Sequence, residues 1–130
     1  MIGYRDESLR YMSLKSYKEL IVWQKSIGLV KKIYQITKQF PREELYCITS
    51  QMRRAAISIP SNIAEGALRK NLKEYIQFLR ISFGSSAELE TQLIISKELY
   101  KKINYKEVES LLEEIQKMLN AMISKLEPRT

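Results

Sequence analysis

The chain has 130 residues, 45% hydrophobic and 28% charged, a composition that suits one folded domain with a real core and excludes a disordered or fibrous chain. The formal net charge is +7 and there is no histidine, which removes the commonest general base, the commonest zinc ligand, any Ser–His or Cys–His dyad and the usual Glu-x-x-His di-iron site of helical bundles. One cysteine, Cys47, permits no internal disulfide, no apolar run reaches membrane-spanning length, and residues 1–15 lack the continuous apolar stretch of a signal peptide, so the expected compartment is cytoplasmic, with no membrane partner.

Only 4 Gly and 3 Pro punctuate the sequence, too few for the many turns of an all-β fold. The apolar spacing predicts a first helix from about Tyr17 to Gln39, with Ser16 and Glu19 at capping-box distance ahead of it. Leu20, Trp23, Ile27, Val30, Tyr34 and Thr37 form one stripe; Val22, Leu29, Ile33, Ile36 and Phe40 form a second. Together they are wider than the roughly 100° that one core face needs. The remaining arc holds Lys25, Lys31, Lys32 and Lys38 with Gln24, Gln35 and Gln39, and no acid.

Pro41 fits the first position of a second helix, with Glu43 and Glu44 favourable near its positive end. Leu45, Ile48, Met52, Ala55, Ala56, Ile59 and Ile63 make its stripe. Pro60 interrupts that stripe and lacks the N–H that would bond four residues back, so a kink or break is expected near Ser58 to Pro60, with a stop at Gly66. Asn71 and Glu74 mark the start of a third helix, whose core stripe is Leu72, Ile76, Leu79, Phe83, Leu89, Leu93 and Tyr100. Its middle, Gly84-Ser85-Ser86-Ala87, is small enough for a neighbouring backbone to come close. Asn104 and Glu107 repeat the start signal for a fourth helix, with Val108, Leu111, Ile115, Met118 and Met122 in one stripe and Leu112, Leu119 and Leu126 widening it.

The expected fold is therefore all-α, a four-helix bundle over residues 17–127 between an N-terminal tail, 1–16, and a C-terminal tail, 128–130. Short connectors imply up-down-up-down, antiparallel packing. Tyr4, Leu9, Tyr11 and Met12 give the N-terminal tail apolar material for docking on a neighbour. The wide stripes of helices one and four, with Tyr46, Arg53 and Ile57 on the outer side of helix two, imply a second burial surface and hence a homo-oligomer.

The positive charge is uneven. Residues 1–81 carry 15 Lys/Arg against 7 Asp/Glu, whereas 82–130 carry 7 against 8. Phosphate binding needs cations spaced along a surface, so the candidate nucleic-acid contacts are Lys25, Lys31, Lys32, Lys38, Arg53, Arg54, Arg69, Lys70 and Lys73. The competing reading of such residues is plain solubility. Ser58, Ser61, Asn62 and Glu65 stand where they can satisfy backbone groups freed by Pro60. Glu65, Glu88 and Glu90 are the acids a carboxylate enzyme would use, but no metal, catalytic or cofactor constellation surrounds them in sequence. Ion pairs with Arg53, Arg54 or Arg80 are their expected role.

Several motifs recur in a known order: Leu20-Ile21-Val22-Trp23-Gln24-Lys25-Ser26, Ile33-Tyr34, Phe40-Pro41, Gln51 to Ile59, Asn62-Ile63-Ala64-Glu65-Gly66 and Gly84 to Glu90. In these the chain resembles the bacterial four-helix-bundle family named for proteins encoded in 23S rRNA intervening sequences, from about Tyr17 to Leu126. The resemblance implies an antiparallel bundle assembled into a ring-shaped homopentamer. The broader family is similar to the accessory protein of diversity-generating retroelements, a basic pentamer that binds nucleic acid and a reverse transcriptase. Three functions follow as expectations. The leading one is a non-enzymatic oligomer that binds RNA or DNA through backbone contacts. The others are an accessory subunit of a retroelement reverse transcriptase, and a protein scaffold with no nucleic-acid role.

Overall fold

A computed structural model describes residues 16–128. Among them are four α-helices and no strand: α1 (Ile21–Thr37), α2 (Ser50–Ala67), α3 (Leu72–Leu99) and α4 (Lys106–Leu126). The tail residues Tyr4, Leu9, Tyr11 and Met12 lie outside the described residues.

Each helix turns one apolar face inward. Val22, Leu29 and Ile33 of α1, Met52, Ile59 and Ile63 of α2, Leu79, Leu89 and Leu93 of α3, and Ile115 and Leu119 of α4 are all essentially inaccessible to water. Removing side chains of this size from water stabilises the fold by about 1.5–3 kcal/mol each. On α1 the second of the two sequence stripes is the core, while Trp23, Ile27, Val30 and Tyr34 are only half-buried. Leu72, expected in the core of the third helix, is exposed on its first turn.

Polar contacts stitch the helices in pairs. Along the α2–α3 seam the Ser58 and Ser85 hydroxyls lie 2.8 Å apart, Ser82 Oγ donates to the Ile59 carbonyl at 2.9 Å, and Ser96 Oγ approaches Met52 Sδ at 3.4 Å. Gly66 closes the same seam: a Cβ there would lie 2.7 Å from Phe78 Cβ and 3.3 Å from the Tyr75 carbonyl oxygen. Gly84 has nothing within 4 Å of its Cβ position. The close approach therefore falls at Gly66 and at the buried Ser82 and Ser86, not at Gly84. Across α1 and α4, Lys25 meets Glu114 at 3.1 Å and Lys32 meets Glu107 at 2.7 Å.

The helix ends depart from the sequence reading in identifiable ways. Ser16 does accept a backbone N–H, but that of Lys18 at 3.1 Å, capping a 3₁₀ turn (Tyr17–Glu19). Leu20 then turns extended, so α1 starts only at Ile21. Pro41 also has extended backbone (ψ 143°) and leads into a 3₁₀ turn, Arg42–Glu44, and a single π turn, Leu45–Thr49. Cys47 within that turn has φ −118° and ψ −116°, outside helical geometry, so α2 begins at Ser50. Asn71 caps α3 as expected, its Oδ1 accepting from the Glu74 N–H at 3.2 Å. Asn104 instead accepts from the Lys106 N–H at 3.0 Å, at the first residue of α4.

Of the kink or break expected near Pro60, the break is absent: α2 is one helix from Ser50 to Ala67 with Pro60 buried inside it. Side chains add donors just ahead of the proline, whose missing N–H would have served Ala56: Asn62 Nδ2 gives to the Ser58 carbonyl at 2.8 Å, and Ser82 Oγ to the Ile59 carbonyl. Gly66 is inside the helix, and the stop comes one residue later.

The two connectors at residues 38–49 and 100–105 are clasped together. The Phe40 and Tyr100 rings sit 5.0 Å apart, and the Tyr100 hydroxyl donates to the Glu44 carboxylate. That hydrogen bond, followed by burial and the negative charge of Glu44, pushes the Tyr100 phenol up to about 12. An unfolded tyrosine titrates near 10. The folded chain thus holds this proton more tightly than the unfolded chain, so the contribution is complete below pH 10 and is lost as pH rises through 12. Thermal unfolding followed across that window should show a decline that is shallower in Tyr100→Phe, the remainder coming from Tyr105, whose phenol is also raised by burial.

Candidate nucleic-acid interface

Helix α1 divides its lysines between two directions. Lys25 and Lys32 are seven residues apart, two turns of one stripe, and both reach glutamates of α4. The Lys32 ammonium holds the Glu107 carboxyl below the usual range, by hydrogen bond first and charge second. The arc that carries no acid in sequence is thus partly neutralised from another helix. Lys31 and Lys38, also seven apart, lie on a different stripe; both are exposed and neither has an acid partner among the described residues.

Arg53 does not stand on the outer side of α2, where the sequence reading put it. Its Nε donates to Thr37 Oγ1 at 3.0 Å and its guanidinium lies 4.4 Å from the centre of the Tyr34 ring. It is a strut between α1 and α2, half-buried, in which an aromatic face and a hydroxyl replace water around the charge. Arg54, the next residue, is exposed. Arg69 is similarly engaged, 3.6 Å from Glu65, 3.9 Å from Glu74 and 5.0 Å above the Phe78 ring. Lys70 and Lys73, beside it on the α2–α3 turn and the first turn of α3, are exposed and have no ion pair among the described residues.

The nine sequence candidates therefore separate. Lys25, Lys32, Arg53 and Arg69 have partners within the chain. Lys31, Lys38, Arg54, Lys70 and Lys73 have no ion pair among the described residues and are exposed to solvent. Sequence reasoning missed Lys101 and Lys102, exposed on the α3–α4 connector; their adjacency between two helical patterns was the available signal.

The acids are also placed differently. Glu65 pairs with Arg69, Glu90 accepts weakly from Gln116 at 3.5 Å, and Arg80 pairs with Glu127 rather than with any of the three candidate acids. Among the described residues no group of three Cys, Asp or Glu side chains is placed to hold a metal ion, and no helix is long and apolar enough to cross a membrane.

A further surface is apolar. Ile81, Ile94, Ile95 and Leu99 of α3 are between 45% and 59% exposed, too much for core residues. Ile81, Gly84, Glu88, Thr91 and Ile95 follow the alternating three–four spacing that keeps them on one side of the helix. Among the described residues the exposed large apolar side chains concentrate on α3, with Ile57 on α2 and Ile21 on α1, while α4, whose wide stripe led one to expect them, has none.

A family model described as 23S rRNA-intervening sequence protein matches residues 18–121, most of the chain and part or all of every helix. No curated protein matches.

Proposed function

This chain belongs to the 23S rRNA-intervening sequence protein family, and from that premise we propose that it is a non-enzymatic, oligomeric, cytoplasmic protein that holds RNA or DNA by the phosphate backbone. The observation that carries the reading is the sorting of its cations. Lys31, Lys38, Arg54, Lys70 and Lys73 stay in water with no ion pair among the described residues, on a chain of net charge +7. Phosphates spaced along a strand supply that counter-charge, and the gain comes from releasing the ions condensed on the nucleic acid. Such contacts position a strand without reading its sequence. The test is affinity for RNA and for duplex DNA at two salt concentrations. Tight binding at low salt that collapses at high salt is expected; no binding at low salt rejects the reading.

Self-association is the second part. Single exposed apolar residues are ordinary, but Ile81, Ile94, Ile95 and Leu99 gathered on one helix mark a contact surface. Ile81 and Ile95 flank Gly84, whose open surroundings leave room for a partner helix to approach. The contacts Met52–Ser96, Ser58–Ser85 and Gly66–Phe78 run in opposite residue order along α2 and α3, as Lys25–Glu114 and Lys32–Glu107 do along α1 and α4. That order supports an antiparallel, up-down-up-down bundle, and the family likeness supports a ring-shaped homopentamer. Sedimentation should find an oligomer that Ile81→Lys with Ile95→Lys converts to a folded monomer. A wild-type monomer at working concentration overturns this part.

A further inference from the structure

Tyr46 is 89% exposed, the most solvent-facing of the large hydrophobic side chains among the described residues. A tyrosine ring in water wastes its apolar area unless something covers it. It does not extend the outer face of α2, because the non-helical backbone at Cys47 breaks the register between Tyr46 and Ile57. The ring belongs to the end of the bundle instead.

That end is built firmly. The Phe40–Tyr100 ring contact and the Tyr100–Glu44 hydrogen bond tie the two connectors to each other within two residues of Tyr46. Exposed cations surround the clasp: Lys38 and Arg42 on the first connector, Lys101 and Lys102 directly after Tyr100 on the second. The local acids are Glu43 and Glu98, both exposed, and Glu44, which Tyr100 occupies.

We propose that this end is a single-stranded nucleic-acid site, where the Tyr46 ring stacks on an unpaired base and Lys38, Arg42, Lys101 and Lys102 meet the flanking phosphates. The proposal rests on the nucleic-acid reading above and narrows it. A ring projecting from a surface can reach only a base face that is not already stacked, so the occupant is a single strand and not a duplex. Stacking is tolerant of base identity, so the site holds a strand without selecting its sequence.

The experiment compares binding of a single-stranded oligouridine with binding of the same strand paired to oligoadenosine, for the full chain and for Tyr46→Ala and Tyr46→Phe. Tyr46→Ala should weaken single-strand binding about tenfold and leave duplex binding unchanged, while Tyr46→Phe, which keeps the ring, should bind like the wild type. Arg42→Gln with Lys101→Gln and Lys102→Gln should flatten the salt dependence for the single strand. If the wild type binds and Tyr46→Ala binds equally well, the stacking site is overturned and the backbone reading stands. If the wild type binds neither probe, both fall. If Tyr46→Ala instead changes the sedimentation of the protein alone, the ring belongs to a subunit contact and the proposal is wrong.

Discussion

Replacing Lys31, Lys38, Arg54, Lys70 and Lys73 together by glutamine is expected to abolish most nucleic-acid affinity at low salt while leaving the helical spectrum intact. Each lysine or arginine that neutralises a phosphate of duplex DNA contributes about 0.9 to the slope of log K against log salt. Loss of five such contacts should therefore flatten the slope by roughly 4 to 5. The fold should survive because all five side chains are exposed and none has an ion pair among the described residues. Lys25→Gln with Lys32→Gln is the informative control. Those ammonium groups are already met by Glu114 and Glu107, so their removal should change the slope far less and cost about 0–1 kcal/mol of stability per pair, as exposed ion pairs do. A five-residue variant that retained the wild-type slope would remove the interface.

Gly66→Ala is expected to destabilise the chain, and Gly84→Ala is not, although both glycines sit inside helices. In either case alanine gains about 1 kcal/mol of helix propensity. At Gly66 the new methyl must displace Phe78 Cβ from 2.7 Å and crowd the Tyr75 backbone at 3.3 Å. Neither is the far end of a flexible side chain, so α2 and α3 must part. Overpacking of this kind costs about 1–3 kcal/mol, a large share of a total stability of about 5–15 kcal/mol. At Gly84 nothing stands within 4 Å, and the propensity gain remains. Urea unfolding of the two variants separates these cases; a Gly66→Ala midpoint at or above wild type would mean the seam is looser than its geometry.

Much of this was legible from residue order alone. The three–four stripes located all four helices, because burial of one face is a local property written at helical spacing. Ends were less legible. Ser16 and Pro41 carried proper start signals, yet a 3₁₀ turn and a π turn intervened, since connectors are shaped by what they pack against, here Tyr100 on Phe40 and Glu44. Nine cations were singled out, with Lys101 and Lys102 passed over, and how the nine divide between internal partners and solvent was not legible. Glu107 and Glu114 lie 75 and 89 residues from the lysines they neutralise, and no local pattern announces such a pairing. The same holds for Arg53, whose position on a wheel pointed outward while its long side chain reached back to Tyr34. Exposed α3 isoleucines escaped notice because apolar residues between core positions read as a broad core.

Pro60 in the middle of α2 has a consequence for how the molecule comes together. A helix with a proline at its centre is a poor candidate to form early and alone, since its ladder is interrupted where cooperativity should build. In this chain the Ile59 carbonyl beside it is bonded by a hydroxyl from α3, and Ser58 meets Ser85 one turn away. The second and third helices are therefore expected to mature as a couple, and Ser82→Ala, which removes one polar rung between them, should slow refolding as well as lower stability.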